Sequence, residues 1–316
     1  MGAAHPYAAS RPLKINELDL APPGAGEILV RIKAAGLCHS DLSVINGDRP
    51  RPMPMALGHE AAGVVEQLGD GVQDLAVGDH VVLVFVPSCG HCHPCAEGRP
   101  ALCEPGAAAN GAGSLLNGGR RLTRDGQTSN HHLGCSAFAT HAVVSRRSAI
   151  KIDHELPFEH AALFGCAVLT GVGAVVNTAQ VRAGTSVAVI GLGGVGLASV
   201  LGAAAAGARH VIAVDLADDK LALAQTLGAT GTFNAGAANV IEAIRDATRG
   251  GVDTAIEMAG STRAFELAYR ITRRGGMTVT AGLPPPDATW AMPAVNLVAE
   301  ERTIKGSYVG TCVPMR

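Results

Sequence analysis

Cys89, Cys92, Cys95 and Cys103 fall in the run CGHCHPCAEGRPALC, a C-x2-C-x2-C-x7-C spacing. Thiolates are the ligands that Zn²⁺ takes in a closed tetrahedral site, and two-residue gaps let a short loop turn several sulfurs onto one ion. A disulfide knot is the competing reading. It fits poorly, because only eight cysteines occur in 316 residues, four of them crowd into this run, and no apolar signal segment opens the sequence.

Three other short runs carry reactive groups: Cys38-His39-Ser40-Asp41, Gly58-His59-Glu60 and Leu163-Phe164-Gly165-Cys166. Each alone says little, since a lone Cys is usually a small core residue and a lone His a satisfied hydrogen-bonder. Together they suggest a Cys-His-Cys site that leaves one coordination position open, the pattern of a catalytic zinc. A third constellation is Gly191-Leu192-Gly193-Gly194-Val195-Gly196, or G-x-G-x-x-G. In a chain with 40 glycines the motif has no weight by itself. Its context gives it weight: it follows the strand-like TSVAVI, opens a helix near Leu197, and is followed some twenty residues on by Asp215, where a carboxylate meets adenosine ribose hydroxyls.

The elements that must hold these groups differ between the two halves. To about residue 150 the chain reads as short β-branched runs broken by Gly and Pro (EILVRIKAAG, AAGVVEQLG, HVVLVFVP, FATHAVVS), which implies a β-rich domain. From about residue 168, apolar strands (TSVAVIG, HVIAVD, VDTAIEM, MTVTAG) alternate with helical stretches such as LALAQTLGA, which implies a parallel sheet covered on both faces. The stretch NGAGSLLNGGR, residues 110 to 120, reads as a surface loop. A net charge of −2 offers no basic stripe for nucleic acid, and no uninterrupted apolar run reaches the ~20 residues of a membrane helix. A soluble cytoplasmic protein of a bacterium with a GC-rich genome is the expectation, given abundant Ala and far more Arg than Lys.

CHSD, GHE, the four-cysteine run, GLGGVG and GVDTAIEMAG stand in the order and nearly at the spacing of the zinc-dependent medium-chain alcohol dehydrogenases, and the whole chain resembles that family, with motifs like those of its class III branch. The resemblance implies an α/β protein: a GroES-like catalytic domain over residues 1–167, a doubly wound Rossmann domain over 168–310, and at 311–316 the start of a return to the first domain. Relatives continue for several dozen residues beyond RTIKGSYVG, so a fragment or a shortened relative is expected. By the resemblance, Cys38, His59 and Cys166 hold a catalytic zinc, and Cys89, Cys92, Cys95 and Cys103 a structural one. Asp41 orients His59, Glu60 modulates ligand exchange, and Ser40 takes the alcohol proton. His39, Thr170, Gly191, Gly193, Gly194, Val195, Gly196, Asp215 and Lys220 would contact NAD, and Phe85 the substrate. A homodimer or homotetramer acting on a small alcohol or aldehyde is implied.

Magnitudes assign the chemistry within that family. Zinc lowers the pKa of bound water from about 16 to about 7, worth roughly 12 kcal/mol; a positioned general base supplies roughly 3–5 kcal/mol. The metal would carry the activation, and Ser40 could only relay a proton. Two departures stand out: Ser43 occupies the position where many relatives place a relay His, and His39 follows Cys38 where some place Arg. Two other functions compete. One is a thiol-dependent formaldehyde dehydrogenase, for which Arg49 and Arg51 are candidate pocket cations or solvated loop charges; the other is a catalytically silent zinc- and NAD-binding protein. His131 and His132 face the pocket or form a partly exposed loop pair, and Cys135 and Cys312 read as buried or inert thiols.

Overall fold

The structure, a computed structural model, describes residues 1–5 and 10–314. It divides into a first unit of Met1–Cys166, rejoined by the chain at Val313, and a second of Ala167–Cys312. In the first, five strands form an antiparallel sheet in the spatial order His141–Ser145, Glu27–Gly36, Glu60–Leu68, His80–Leu83, Ala149–Lys151. The two longest strands bury Ile28, Val30, Ala61, Ala62 and Val65, as β-branched and small residues do in a packed sheet. Their pairing ends at Gly36 opposite Glu60. Chain leaving one strand and entering the other therefore brings Cys38 and His59 out at the same end of the sheet.

The strand His80–Leu83 ends partway through the apolar run HVVLVFVP; Val84–Val86 stay buried but leave the pairing, and the Val84 N–H donates to the Ser148 carbonyl at 2.7 Å. A second, four-stranded sheet has the order Asp19–Leu20, Leu122–Arg124, Gln127–His131, Met55–Ala56. Its last pair is parallel and sets Ala56 against His131, carrying the His131-His132 pair up to the segment that ends in His59. Residues 110 to 120 are not a surface loop throughout. A helix, Glu104–Ala112, runs into them and ends at Gly113 in the left-handed region, and Asn110, Ser114 and Leu115 are buried. The Cys103 sulfur caps that helix by accepting from the Gly106 N–H, a start signal outside the usual Ser/Thr/Asp/Asn set.

The second unit is a six-stranded parallel sheet in the order Gly231–Asn234, His210–Asp215, Ser186–Ile190, Val252–Glu257, Thr272–Thr280, Thr303–Gly306. Counted along the chain this is 3-2-1-4-5-6, so the strand order reverses beside Ser186–Ile190, where doubly wound sheets bind ligands. Every residue of that strand is buried, and separate apolar clusters cover the two faces: Val187 and Val189 pack with Val200 and Ala203, Ala188 and Ile190 with Ile244 and Leu267. Among the described residues no single helix is long and apolar enough to cross a membrane.

Gly58 fixes where His59 leaves the sheet. Its φ is +93°, and a Cβ there would run into the Phe138 backbone nitrogen, while the Leu57 and Gly58 carbonyls accept from the Phe138 and Ala137 N–H groups at 2.9 Å. Gly58→Ala is expected to cost at least about 2 kcal/mol, since the left-handed conformation and the collision both oppose a side chain. An unfolding midpoint equal to the parent's would contradict this.

Candidate active site

Cys38 is the N-cap residue of the short helix His39–Ile45, in extended backbone conformation and with its sulfur making no capping hydrogen bond to the first turn. His59 and Glu60 sit where the second long strand begins. Cys166 follows a helical turn, Ala162–Gly165, held down by Ala161 and Ala162 packing on Ala62. One ligand atom each from Cys38, His59, Glu60 and Cys166 lies within 4.8 Å of the others. His59 is fully buried, and its Nε2 has no hydrogen-bond partner.

The electrostatics follow from crowding. A hydrogen bond from Cys166 draws the Cys38 thiol down to about 3 against the opposing effect of burial, with His59 assisting. The same hydrogen bond and burial push Cys166 well above the usual thiol range. Burial would depress His59, but Asp41 and Cys38 outweigh it and raise the imidazole to about 10. Burial, reinforced by the charge on Cys38, lifts Glu60 to about 7. Burial also opposes ionisation of Asp41, yet contacts from His132 and His59 hold its carboxyl far below the usual range.

Two sulfurs, an imidazole nitrogen and a carboxylate oxygen converging on one buried spot form a donor set that suits zinc. The orphaned Nε2 is the atom such an ion would satisfy. Ligands at 2.0–2.3 Å from a tetrahedral centre stand ~3.3–3.8 Å apart, so the observed spacing needs only a small contraction.

Cys89, Cys92, Cys95 and Cys103 also place their sulfurs within 4.8 Å of one another, with Cys92 and Cys103 at 3.9 Å. Backbone amides surround them as they surround thiolates: Cys103 accepts from the Cys89 and Gly106 N–H groups at 3.1 and 3.4 Å, and Cys89 from Cys92 at 3.3 Å and His91 at 3.5 Å. None of the eight cysteines is in a disulfide. Burial, reinforced by Cys92 and Cys103, pushes Cys95 up to about 12, whereas amides outweigh burial and draw Cys89 to about 6. Burial thus holds Cys95 protonated while amide donors favour the thiolate of Cys89, and a shared dication would favour the thiolate form of all four.

In the second unit Gly191 follows the central strand, and Gly193 caps the twelve-residue helix Gly194–Ala205, whose N-terminus favours anions. A Cβ on Gly196 would strike the Gly191 carbonyl, so only glycine lets helix and strand approach this closely. Asp215 ends the next strand; its Oδ2 accepts from the Leu192 N–H at 2.7 Å, its Oδ1 from the Ala217 N–H at 3.0 Å, and Lys220 Nζ lies 4.0 Å from Oδ1. Thr170 and Val195 are half-buried on neighbouring helices, where Ser199 Oγ donates to the Gly171 carbonyl at 3.1 Å.

Of the remaining sequence candidates, Phe85 meets the His59 ring edge-on, with centroids 5.2 Å apart. Ser40 is half-buried in the first turn after Cys38, and His39 is exposed. Ser43 is buried, so its side chain offers no exit to bulk water. Arg51 donates to the Asn110 carbonyl at 3.4 Å. Burial pushes Cys135 to about 12 and Cys312 to about 11, in keeping with inert core thiols.

The two histidines are not an exposed loop pair. His131 is a core residue whose Nε2 accepts from the Arg121 N–H at 3.0 Å, and burial lowers it to about 4. His132 lies with Nδ1 3.0 Å from Asp41 Oδ1, a contact that sequence reasoning missed. Only the strand register that sets Ala56 against His131 brings the pair together, and no local pattern carries that information.

Residues 24–154 match the alcohol dehydrogenase GroES-like domain, and residues 194–316 match the zinc-binding dehydrogenase domain. The chain is 41% identical to S-(hydroxymethyl)glutathione dehydrogenase of Synechocystis sp. over 285 residues, which span 89% of this chain and 77% of that protein. The crystal structure of an alcohol dehydrogenase zinc-binding domain protein from Burkholderia ambifaria superposes with a TM-score of 0.95 at 39% identity, covering 99% of this chain and 85% of the other. Benzyl alcohol dehydrogenase from Acinetobacter calcoaceticus gives 0.94 at 33% identity, covering 100% and 86%.

The two donor clusters predict two separable zinc ions. Cys166→Ala is expected to abolish turnover while one zinc stays bound, and Cys95→Ala to cost folding or assembly, because structural zinc contributes folding energy. Elemental analysis giving a single zinc in fully active protein would refute the assignment.

Proposed function

We propose that this chain, which belongs to the zinc-dependent medium-chain alcohol dehydrogenase family, transfers a hydride between an alcohol or aldehyde and NAD at the centre formed by Cys38, His59 and Cys166. The observation that carries the reading is the convergence of Cys38, His59, Glu60 and Cys166 around the unpartnered Nε2 of His59. When bound, zinc supplies the Lewis acidity that makes an alcohol hydroxyl acidic, and the nicotinamide accepts the hydride.

The protein's own residues do the remainder. Cys38 and Cys166 present sulfurs and His59 presents Nε2 as ligands. Glu60, held near 7 by burial and by Cys38, is an acid able to change its charge as ligands exchange. Ser40 Oγ accepts the substrate's hydroxyl proton and hands one on to water; a hydroxyl with no basic pKa relays rather than stores it. Phe85, edge-on to His59, walls the substrate side and keeps water off the ligands.

In the second unit the N–H groups at Gly193 and Gly194 would hold the pyrophosphate of bound NAD, Asp215 with Lys220 would hold the adenosine ribose, and Thr170 and Val195 would line the nicotinamide. His39, exposed beside Cys38, is a candidate pyrophosphate contact. The exposed edge strand Thr303–Gly306 suits pairing with a second copy, giving a homodimer or a homotetramer made of two such dimers. Six cysteines acting as thiolate ligands suit a reducing, cytoplasmic compartment.

The relative named S-(hydroxymethyl)glutathione dehydrogenase favours a second reading, oxidation of the adduct of formaldehyde with a thiol. A panel of short and aromatic alcohols with NAD⁺, and formaldehyde with and without glutathione, separates the two. Turnover of alcohols without thiol is expected; turnover of the formaldehyde–glutathione pair alone would establish the second reading, and none in zinc-replete protein would exclude both.

Asp215 further predicts NAD⁺ over NADP⁺. Two unit charges at 4 Å and an effective dielectric near 20 repel by about 4 kcal/mol, and Lys220 and solvent offset part of it. A preference of at least about a hundredfold in kcat/KM is expected, and equal values would refute the role of Asp215.

A further inference from the structure

We propose that His132 is a positioning residue of this centre: it holds one oxygen of Asp41 so that the other faces Nδ1 of His59 and leaves Nε2 aimed at Cys38 and Cys166. The inference rests on the proposed zinc site and extends it by a residue outside the ligand set.

Asp41, His59 and His132 are all buried. Asp41 Oδ1 accepts from the Gly58 N–H at 3.0 Å and lies 3.0 Å from His132 Nδ1. Asp41 Oδ2 lies 3.0 Å from His59 Nδ1. Both ring contacts are 3.0 Å approaches out of line for straight hydrogen bonds, so each ring constrains the carboxylate through close packing and its ring dipole as much as through one directed bond. Without His132, Oδ1 would keep only the Gly58 N–H, and rotation about Cβ–Cγ would carry Oδ2 away from Nδ1.

His132 is itself pinned. Its N–H donates to Ser136 Oγ at 3.0 Å and to the Ala56 carbonyl at 3.2 Å. Its ring meets the His59 ring edge-on at 5.4 Å, and Phe85 meets His59 edge-on at 5.2 Å. The ligand ring therefore has its plane fixed by two edge contacts and its rotation about that plane fixed by Asp41. Partners of this kind around a metal-bound His typically govern affinity by roughly 10- to 100-fold.

The same three residues also form a donor cluster of their own. A cation there would take His59 Nδ1, the nitrogen that the Asp41 contact occupies, and would compete with the backbone N–H of Gly58 for the carboxylate. The positioning role uses all of these contacts at once.

The test compares His132→Leu, which fills the space without a donor, with His132→Asn, whose amide N–H falls near the place of Nδ1. Zinc-loaded full-length protein is challenged with a chelator, and release from the two centres is followed separately. His132→Leu is expected to release zinc from the Cys38/His59/Cys166 centre roughly 10- to 100-fold more readily, to keep the four-cysteine zinc, and to shift the visible spectrum of the cobalt-substituted centre. His132→Asn is expected to restore both the retention and the spectrum. Leu and Asn variants impaired alike, a Leu variant with parental retention, loss of both zinc ions together, or a third zinc equivalent that disappears with His132 would each overturn the role. Parent protein that binds one zinc or none would instead overturn the site assignment on which the role rests.

Discussion

Three groups that are or become anionic, together with one imidazole, are forced within 4.8 Å of one another in a place that excludes water. A buried charge without a partner costs several kcal/mol, and crowding like charges adds to it. The crowding shows in opposed titration tendencies: Cys38 is drawn well below the usual thiol range by its hydrogen bond from Cys166, Cys166 is pushed well above it, and His59 is raised by Asp41 and Cys38. A dication removes the conflict, and the binding free energy of a zinc ion is large enough to hold together a site that the fold alone would push apart. Much of the first unit follows from this constraint: two strands that end face to face, a glycine that only one backbone path accommodates, and a helical turn packed down on Ala62.

The two metal clusters meet the constraint on different scales. All four sulfurs of one come from a single run closed by its own amides, so little chain entropy is lost in bringing them together. The other draws on three distant segments, and the sheet must form before its donors meet. The two are nevertheless linked. Cys103 caps the helix Glu104–Ala112, and Asn110 of that helix donates from Nδ2 to the Phe85 carbonyl at 2.8 Å. Phe85 in turn rests edge-on against His59. The four-cysteine cluster thereby helps to place Phe85 beside His59.

Legibility in the sequence follows the same division. The four-cysteine run, the glycine motif and the alternation of strands and helices are local patterns, and each appears in the structure as the element its spacing implies. The helix through Ala112 was obscured because it is built of Ala and Gly with little amphipathic contrast, and because its cap is a metal-site cysteine. The end of the strand His80–Leu83 is invisible in the sequence because Val84–Val86 remain apolar and buried after they leave the ladder. His132 was ambiguous for a deeper reason: its partner Asp41 lies on another element, and the contact exists only through the register of two short parallel strands.

The second unit shows how a carboxylate can be prepared for a ligand by the backbone around it. An ionised Asp has about four lone-pair sites. In Asp215 the Leu192 N–H takes one on Oδ2 and the Ala217 N–H one on Oδ1, so the group is oriented while about half of its accepting capacity remains. The donor on Leu192 belongs to the glycine turn itself, which ties the acidic residue to that turn. What is left over matches a pair of vicinal hydroxyls, each bringing one O–H, whereas a phosphate brings charge and no donor. In the proposed role of Asp215, selectivity would therefore arise twice, from repulsion of the wrong group and from hydrogen bonds that only the right group can complete.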